Sequence, residues 1–319
     1  MAQAPANSTV RVAARLAIGF ALDLVKLGGF GRDVIDGFLL AAISQANVMP
    51  LVRKPEMQRA YASLDQAPPD DLRRPVSINA IANSLQVPYE TARRRITALI
   101  NVGTLQSTPN GLILPQEPLN STFFRLGAEG NYNLVRTLYF RLRGIGLLQD
   151  LARPDGPPCD PEHPPMRLVS RMSVDYLLRV VEPINQHIGD IVTGLVLMEV
   201  FHSNTSHLAD TDGGSARPDW SADSFVADDD RRPVSAADVA RNLGMPTETV
   251  RRRLAKLVAR NRCERDETGY WISSRVLAEG LIVEFALTNQ SYLLKMFSGL
   301  AEFGVLLDWD RELAFRPGV

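Results

Sequence analysis

The sequence predicts a mainly α-helical chain in two tandem repeats, each with flanking helices around a pair of short helices and a small β-hairpin. Three observations predict it. Residues 73–99, RRPVSINAIANSLQVPYETARRRITAL, and residues 231–257, RRPVSAADVARNLGMPTETVRRRLAKL, match without a gap at 14 of 27 positions. A self-match of that length is a duplication, and a duplication dictates the architecture. Each copy carries apolar residues at a 3.6-residue period interrupted by a turn, and each is followed by two short β-prone runs around a glycine.

Taken in order, residues 1–9 are expected to be disordered. Val10–Lys26 and Val34–Leu51 read as helices, separated at Gly28-Gly29-Phe30-Gly31. That break is a turn and not a phosphate-binding loop, because no strand leads into it. Met166–His187, kinked or broken at Pro183, and Gly189–Ser203 take the corresponding places in the second repeat. Gly37 aligns with Gly194 and Asn47 with Asn204, each 157 residues apart. Polar linkers follow: Ala67–Asp71 in the first repeat, and in the second the acidic Ala209–Asp230, expected to be mobile. Beyond the hairpins, Leu119–Leu126 and Asn131–Leu148 close the first repeat, and Val276–Leu287 and Asn289–Leu307 close the second. Asn131 with Asn289, Gly146 with Gly304 and Leu148 with Leu306 align 158 apart. Ala152–Met166, with six prolines, reads as a semi-rigid spacer. The predicted division is residues 1–151, a linker over 152–166, and residues 167–319.

Within the repeated stretch, Ser77 and Ser235 stand where N-caps belong, and Asp238 follows Ser235 at capping-box spacing. The first short helix buries Ile81 and Leu85, or Val239 and Leu243, around Ala82 or Ala240. The chain turns at Gln86-Val87 or Gly244-Met245, and Pro88 or Pro246 sets φ for the next helix. That helix buries Ala92, Ile96 and Leu99, or Val250, Leu254 and Leu257. Steps of 100° place Glu90, Arg94 and Asn101 on the opposite face, flanked by Thr91, Arg93 and Thr97. Gly103 and Asn261 suit a left-handed end. The hairpins are Leu105–Leu114, turning at Asn110-Gly111, and Cys263–Ile272, turning at Thr268-Gly269.

The second helix resembles the recognition helix of bacterial winged helix-turn-helix transcription regulators. The matching residues are Thr91, Arg93, Arg94, Ile96 and Leu99, and Thr249, Arg251, Arg252, Leu254 and Leu257. The chain departs from that pattern at Pro88 and Pro246, where a serine is usual, and at Gln86, where a glycine is usual. Helices flanking a winged core are similar to those of MarR-type regulators, in which they form the dimer interface. The resemblance implies that one chain supplies what those proteins build from two, with two recognition helices on related half-sites.

Composition agrees with a globular chain, at 45% hydrophobic and 22% charged. The net charge of −1 does not itself point to nucleic acid, but its distribution does. Residues 73–105 carry Arg73, Arg74, Arg93, Arg94 and Arg95 against Glu90 alone, and residues 231–265 are also strongly basic. Acid collects at Asp210, Asp212, Asp219, Asp223 and Asp228–Asp230. The two cysteines, Cys159 and Cys263, form no disulfide framework, so a cytoplasmic setting is expected. Asp23 interrupts the apolar run Leu16–Leu24, so neither a signal peptide nor a membrane span is expected.

The expected partner is double-stranded DNA. Arg93, Arg94, Arg251 and Arg252 are the predicted DNA contacts, able to meet guanine O6 and N7 or clamp phosphate. Arg95 and Arg253 stand on the shoulder of the buried stripe, where a phosphate contact or a salt bridge fits better than base reading. Glu90 and Glu248 either accept from cytosine N4 or complement the helix N-terminus. Thr91 and Thr249 suit phosphate or a thymine methyl. Arg73-Arg74 and Arg231-Arg232 either reach the DNA backbone or a minor groove, or are solvated. The hairpins are expected to contribute little, the second least, since Glu264, Asp266 and Glu267 surround Arg265. Cys159 with His163, and His202 with His207, are too few to predict a metal site. No nucleophilic triad, P-loop or HExxH appears, so neither an enzyme nor a cofactor is expected. A replication initiator and a chromosome-segregation or other structural tandem winged-helix protein remain as alternatives. An effector ligand and further self-association are left open.

Overall fold

The computed structural model describes residues 6–29, 33–152, 159–160, 162–211, 213–214 and 219–314. Residues 153–158 and 161 of the spacer expected over 152–166 lie outside these residues, as do Phe30 and Gly31 of the glycine break and residues 1–5 of the expected disordered start. Among the described residues the chain is mainly helical, with 14 α-helices and two small antiparallel sheets. In order these are α1 Asn7–Gly29, α2 Val34–Val52, α3 Pro55–Ala60, α4 Ile78–Leu85, α5 Tyr89–Asn101, β1 Gln106–Thr108, β2 Gly111–Ile113, α6 Gln116–Asn120 and α7 Thr122–Gly144. The second half follows with α8 Met166–His187, α9 Ile191–Thr205, α10 Ala236–Leu243, α11 Thr247–Ala259, β3 Glu264–Arg265, β4 Tyr270–Trp271, α12 Ser274–Leu277, α13 Gly280–Glu302 and α14 Val305–Ala314.

Some boundaries differ from expectation, each for a physical reason. The helices expected over Leu119–Leu126 and Asn131–Leu148 are instead a short α6 and one continuous α7 running through Gly127 and Gly130. Gly130 serves close packing there, since a Cβ would stand 3.0 Å from Leu27 Cδ1. The α7 and α13 helices end before Gly146 and Gly304, at φ of 81° and 80°. Pro183 lies inside α8 without ending it. The α2 helix is long and apolar enough to cross a membrane by length and composition, yet Phe38, Leu39, Ile43, Val48 and Leu51 along it are covered by protein.

The chain forms two compact units, and each draws on both sequence repeats. Unit 1 comprises residues 1–26, 137–151 and 183–294; unit 2 comprises residues 27–136, 152–182 and 295–319. The units therefore do not follow the repeat boundary at the proline-rich spacer. Each takes the duplicated motif from one repeat and an N-terminal helix from the other.

In unit 1 the visiting helix is α1. Arg11 is buried, its Nε 2.7 Å from Gly213 O and its guanidinium over the rings of Trp220 and Phe225. Arg15 donates to Ala209 O. Of the acidic segment expected to be mobile, Ala209, Gly213, Trp220 and Phe225 are thus held against α1. Val196, Val239, Val250 and Leu254 form the core alongside Ala13 and Leu16. An apolar cavity of about 120 Å³ lies in this unit, lined by Ile18, Ile184, Met198, Phe201 and Phe285 among others. In unit 2 the visitor is α8. Its Arg167 donates to Leu119 O at 3.1 Å, and its Arg171 to Tyr61 O at 2.9 Å and Gln58 O at 3.2 Å. Burial lowers both guanidinium pKa values to about 10. Leu39, Ile43, Ile96, Leu114 and Trp309 fill that core.

Candidate nucleic-acid interface

The duplicated motif folds in the same way in both units. Ser77 Oγ accepts from Ala80 N and Ser235 Oγ from Asp238 N, both at 3.1 Å, capping α4 and α10. Gln86 (φ 51°) and Gly244 (φ 62°) then adopt left-handed conformations that reverse the chain toward α5 and α11. Val87 N and Met245 N close this turn onto Ala82 O and Ala240 O at 2.9 Å. The predicted stripe is inside: Ala92, Ile96, Val250 and Leu254 are fully buried, with Leu99 and Leu257 nearly so.

The arginine triplet divides. Arg93, Arg251 and Arg252 have side chains 54%, 65% and 73% exposed, against 23% for Arg95 and 26% for Arg253. Arg94 is exposed as well. Arg93 is held by Glu90, with Nε and Nη2 at 3.0 and 2.8 Å from Oε2, which raises its pKa. Arg251 and Arg252 keep only loose pairs with Glu248, at 4.0 and 3.8 Å. Thr91 and Thr249 are half-buried beside these arginines.

Arg95 and Arg253 turn inward and tie α5 and α11 to the helix behind them. Arg95 Nη1 lies 2.9 Å from Asp36 Oδ1 and Nη2 lies 3.0 Å from Asp33 Oδ2, while Asp33 also caps α2 through Ile35 N. Burial opposes its charge, but these two carboxylates outweigh it and the pKa is raised. Arg253 Nη1 lies 2.6 Å from Asp190 Oδ2, and Asp190 caps α9 through Thr193 N. The two capping aspartates occupy corresponding positions.

The arginine pairs before α4 and α10 divide as well. Arg73 and Arg231 are buried, each bonded through Nε to a preceding aspartate, Asp70 at 3.0 Å and Asp228 at 3.1 Å. Arg74 and Arg232 are exposed, with their backbones fixed. What fixes them is an asparagine at the far end of α2 or α9, and its role was missed in the sequence. Asn47 Nδ2 donates to Arg74 O and Leu112 O at 2.8 and 3.0 Å, and its Oδ1 accepts from Leu114 N at 2.8 Å. Asn204 does the same with Arg232 O, Tyr270 O and Ile272 N at 2.8, 3.1 and 3.0 Å. Both are wholly buried. The alignment of Asn47 with Asn204 was the available signal.

Each hairpin gains a third partner from the segment before α4 or α10, through the pairs Val76–Leu112 and Val234–Tyr270. The approach is close enough to require glycine. At Gly111 (φ 130°) and Gly269 (φ 147°) a Cβ would lie 2.7 Å from Val76 O or Val234 O. The first hairpin exposes Ser107 and Asn110, while the second exposes Asp266 and Glu267, and its Arg265 folds over the Tyr270 ring.

Cys159 and His163 do not converge: the thiol lies near Phe303 O, its pKa pushed by burial to about 12, while His163 pairs with Asp160. No group of three or more potential metal ligands exists among the described residues. No protein-family model matches the chain, and no significant match is found among curated proteins or solved structures.

Proposed function

We propose that the chain is a sequence-specific DNA-binding regulator of transcription acting in the cytoplasm, with two winged helix-turn-helix heads. In this reading α5 and α11 are recognition helices and the hairpins are wings. The observation that carries it is the repeated pattern of outward arginines, Arg93 and Arg94, then Arg251 and Arg252, on helices whose opposite face is buried and which Arg95 and Arg253 tie at mid-length to the helix behind. A groove-reading helix needs this combination, because an arginine meets guanine O6 and N7 in the major groove only if the helix cannot roll. Arg95 and Arg253 fix the helix instead of touching DNA. Exposed Arg74 and Arg232, on a fixed backbone, suit phosphates beside the groove. Thr91 and Thr249 lie where a helix N-terminus meets phosphate. The acidic second wing stands off from the backbone.

The test is selection from a random double-stranded DNA library with the purified full chain, followed by genome-wide mapping of bound sites. A short enriched motif occurring as two related half-sites near promoters is the expected result. Enrichment at one cluster of iterated repeats would favour a replication initiator. No enrichment at low salt would overturn DNA binding.

A further inference from the structure

Each compact unit joins a motif from one repeat to an N-terminal helix from the other, and the residues at these joins are not interchangeable. The α1 and α8 helices align 156 residues apart: Arg11 with Arg167, Arg15 with Arg171, Phe20 with Tyr176. Along this shared frame the charges invert. Where α1 has Asp23 and Lys26, α8 has Arg179 and Glu182. The receiving helices invert too: α9 carries Glu199 where α2 has Ala42, and Asp210 follows α9 where Arg53 follows α2.

In unit 1 these differences meet. Glu199 is 1% exposed, and its Oε2 has no hydrogen bond among the described residues but faces Lys26 Nζ at 3.6 Å. Its Oε1 accepts from Asn242 of α10 at 2.8 Å, so this carboxylate links α1 to the duplicated motif. Arg141, at the end of α7, grips Asp210 with Nε and Nη2 at 2.8 and 2.6 Å from its two oxygens. In unit 2, Trp309 of the second repeat donates to Tyr132 Oη of the first at 2.7 Å; the corresponding positions are Leu151 and Gln290. Were each repeat to keep its own N-terminal helix and the first repeat the end of its own α7, Glu182 would face buried Glu199 and Arg141 would face Arg53. A buried carboxylate opposite a like charge is strongly unfavourable.

We propose that these positions form a pairing code: the second repeat's unit accepts the N-terminal helix of the first repeat and rejects its own. The two repeats are then obligate unlike partners within one chain, joined at the high effective concentration that covalent linkage gives. Two copies of the same repeat do not pair. This inference is independent of DNA binding, and its tests contain no DNA.

The first test is a charge-exchange cycle in the full chain. Lys26→Glu and Glu199→Lys alone are each expected to lower the melting temperature by about 5 °C or more, and together to lose clearly less than the sum, the remainder being the Asn242 and Ser203 bonds that a lysine cannot accept. Unmoved single variants, or a double variant that loses the sum of both, would overturn the code. The second test reads the pairing itself. The Cβ position of Gly19 on α1 lies 3.1 Å from Cε1 of the His202 ring, so Gly19→Cys with His202→Cys should crosslink within one chain with a short bifunctional thiol reagent. Adding Lys26→Glu and Glu182→Lys, which exchanges the signs carried by α1 and α8, should abolish that crosslink. A crosslink of undiminished yield, or one that joins two chains in the parent, would sink the proposal.

Discussion

Among single residues, the clearest division is between arginines that face out and arginines that hold the frame. Arg93 and Arg94 to Ala together are expected to weaken specific DNA binding by roughly 1–3 kcal/mol for each arginine that grips a guanine edge through two hydrogen bonds, without changing the melting temperature. Binding titrations on a selected site, paired with thermal melts, read both quantities. Asn47 and Asn204 behave oppositely. Each amide donates twice and accepts once inside the protein, so Asn204→Asp removes both donors and sets a carboxylate against Arg232 O and Tyr270 O. Tyr270 O keeps Val234 N at 3.0 Å, so the loss is the two side-chain bonds and the new repulsion, together about 1–3 kcal/mol. Chemical denaturation should register that loss; a change below about half a kcal/mol, the range of ordinary surface substitutions, would contradict the clamp. His202 adds a pH dependence. Burial holds its pKa below 6.5 despite Glu199 and Asp23, which raise it. The unfolded chain therefore binds a proton that the folded chain refuses. Stability is full above about pH 6.5 and falls as pH drops below it, until the folded pKa is passed. His202→Gln, the residue type at the corresponding Gln45, should flatten melting temperature against pH in that window.

At the level of elements, α2 and α9 are the organising pieces, each holding the motif helix at its N-terminus through a capping aspartate and the hairpin at its C-terminus through an asparagine. Ile96 and Leu254 are the packed centres of α5 and α11, both at zero exposure. Replacing either with Ala is expected to cost on the order of 2–5 kcal/mol, measured by denaturant unfolding. The motif was legible because its signals are local: period, cap, left-handed turn and proline. The buried stripe, the turns at Gln86 and Gly244, and the left-handed Gly103 and Asn261 all stand where the sequence put them. The long α7 was not legible. Gly127 and Gly130 read as a break, whereas Gly130 is spent on the approach of Leu27, far away along the chain. The inward turn of Arg95 and Arg253 was open for the same reason, since their partners are some 60 residues away in sequence.

For the whole molecule, the sequence divides into repeats and the structure into units, and the two divisions differ because helices are exchanged. No local signal announces an exchange; only long-range pairs such as Arg11 with Gly213 or Arg171 with Tyr61 reveal it. The proposed function makes a whole-molecule prediction. One chain should protect two half-sites, related but not identical, because Tyr89, Thr97 and Asn101 stand where the second copy has Thr247, Ala255 and Ala259. Footprinting with stoichiometry from mass photometry tests this, and one half-site per chain would refute it. The salt dependence is additive in the same way. Each phosphate-bound arginine removed should flatten the slope of log affinity against log salt by about 0.9.

The asparagine clamp also bears on how the protein breathes. The amides of Leu114 and Ile272 are bonded not to a neighbouring strand but to a side-chain oxygen, Asn47 Oδ1 or Asn204 Oδ1. Their exchange with deuterium therefore reports detachment of a hairpin from its helix, separately from fraying of the hairpin itself. If both hairpins lift only when a whole unit opens, these two amides will exchange at the rate of the slowest core protons. If a hairpin swings free first, they will exchange early while Ile96 and Leu254 stay protected.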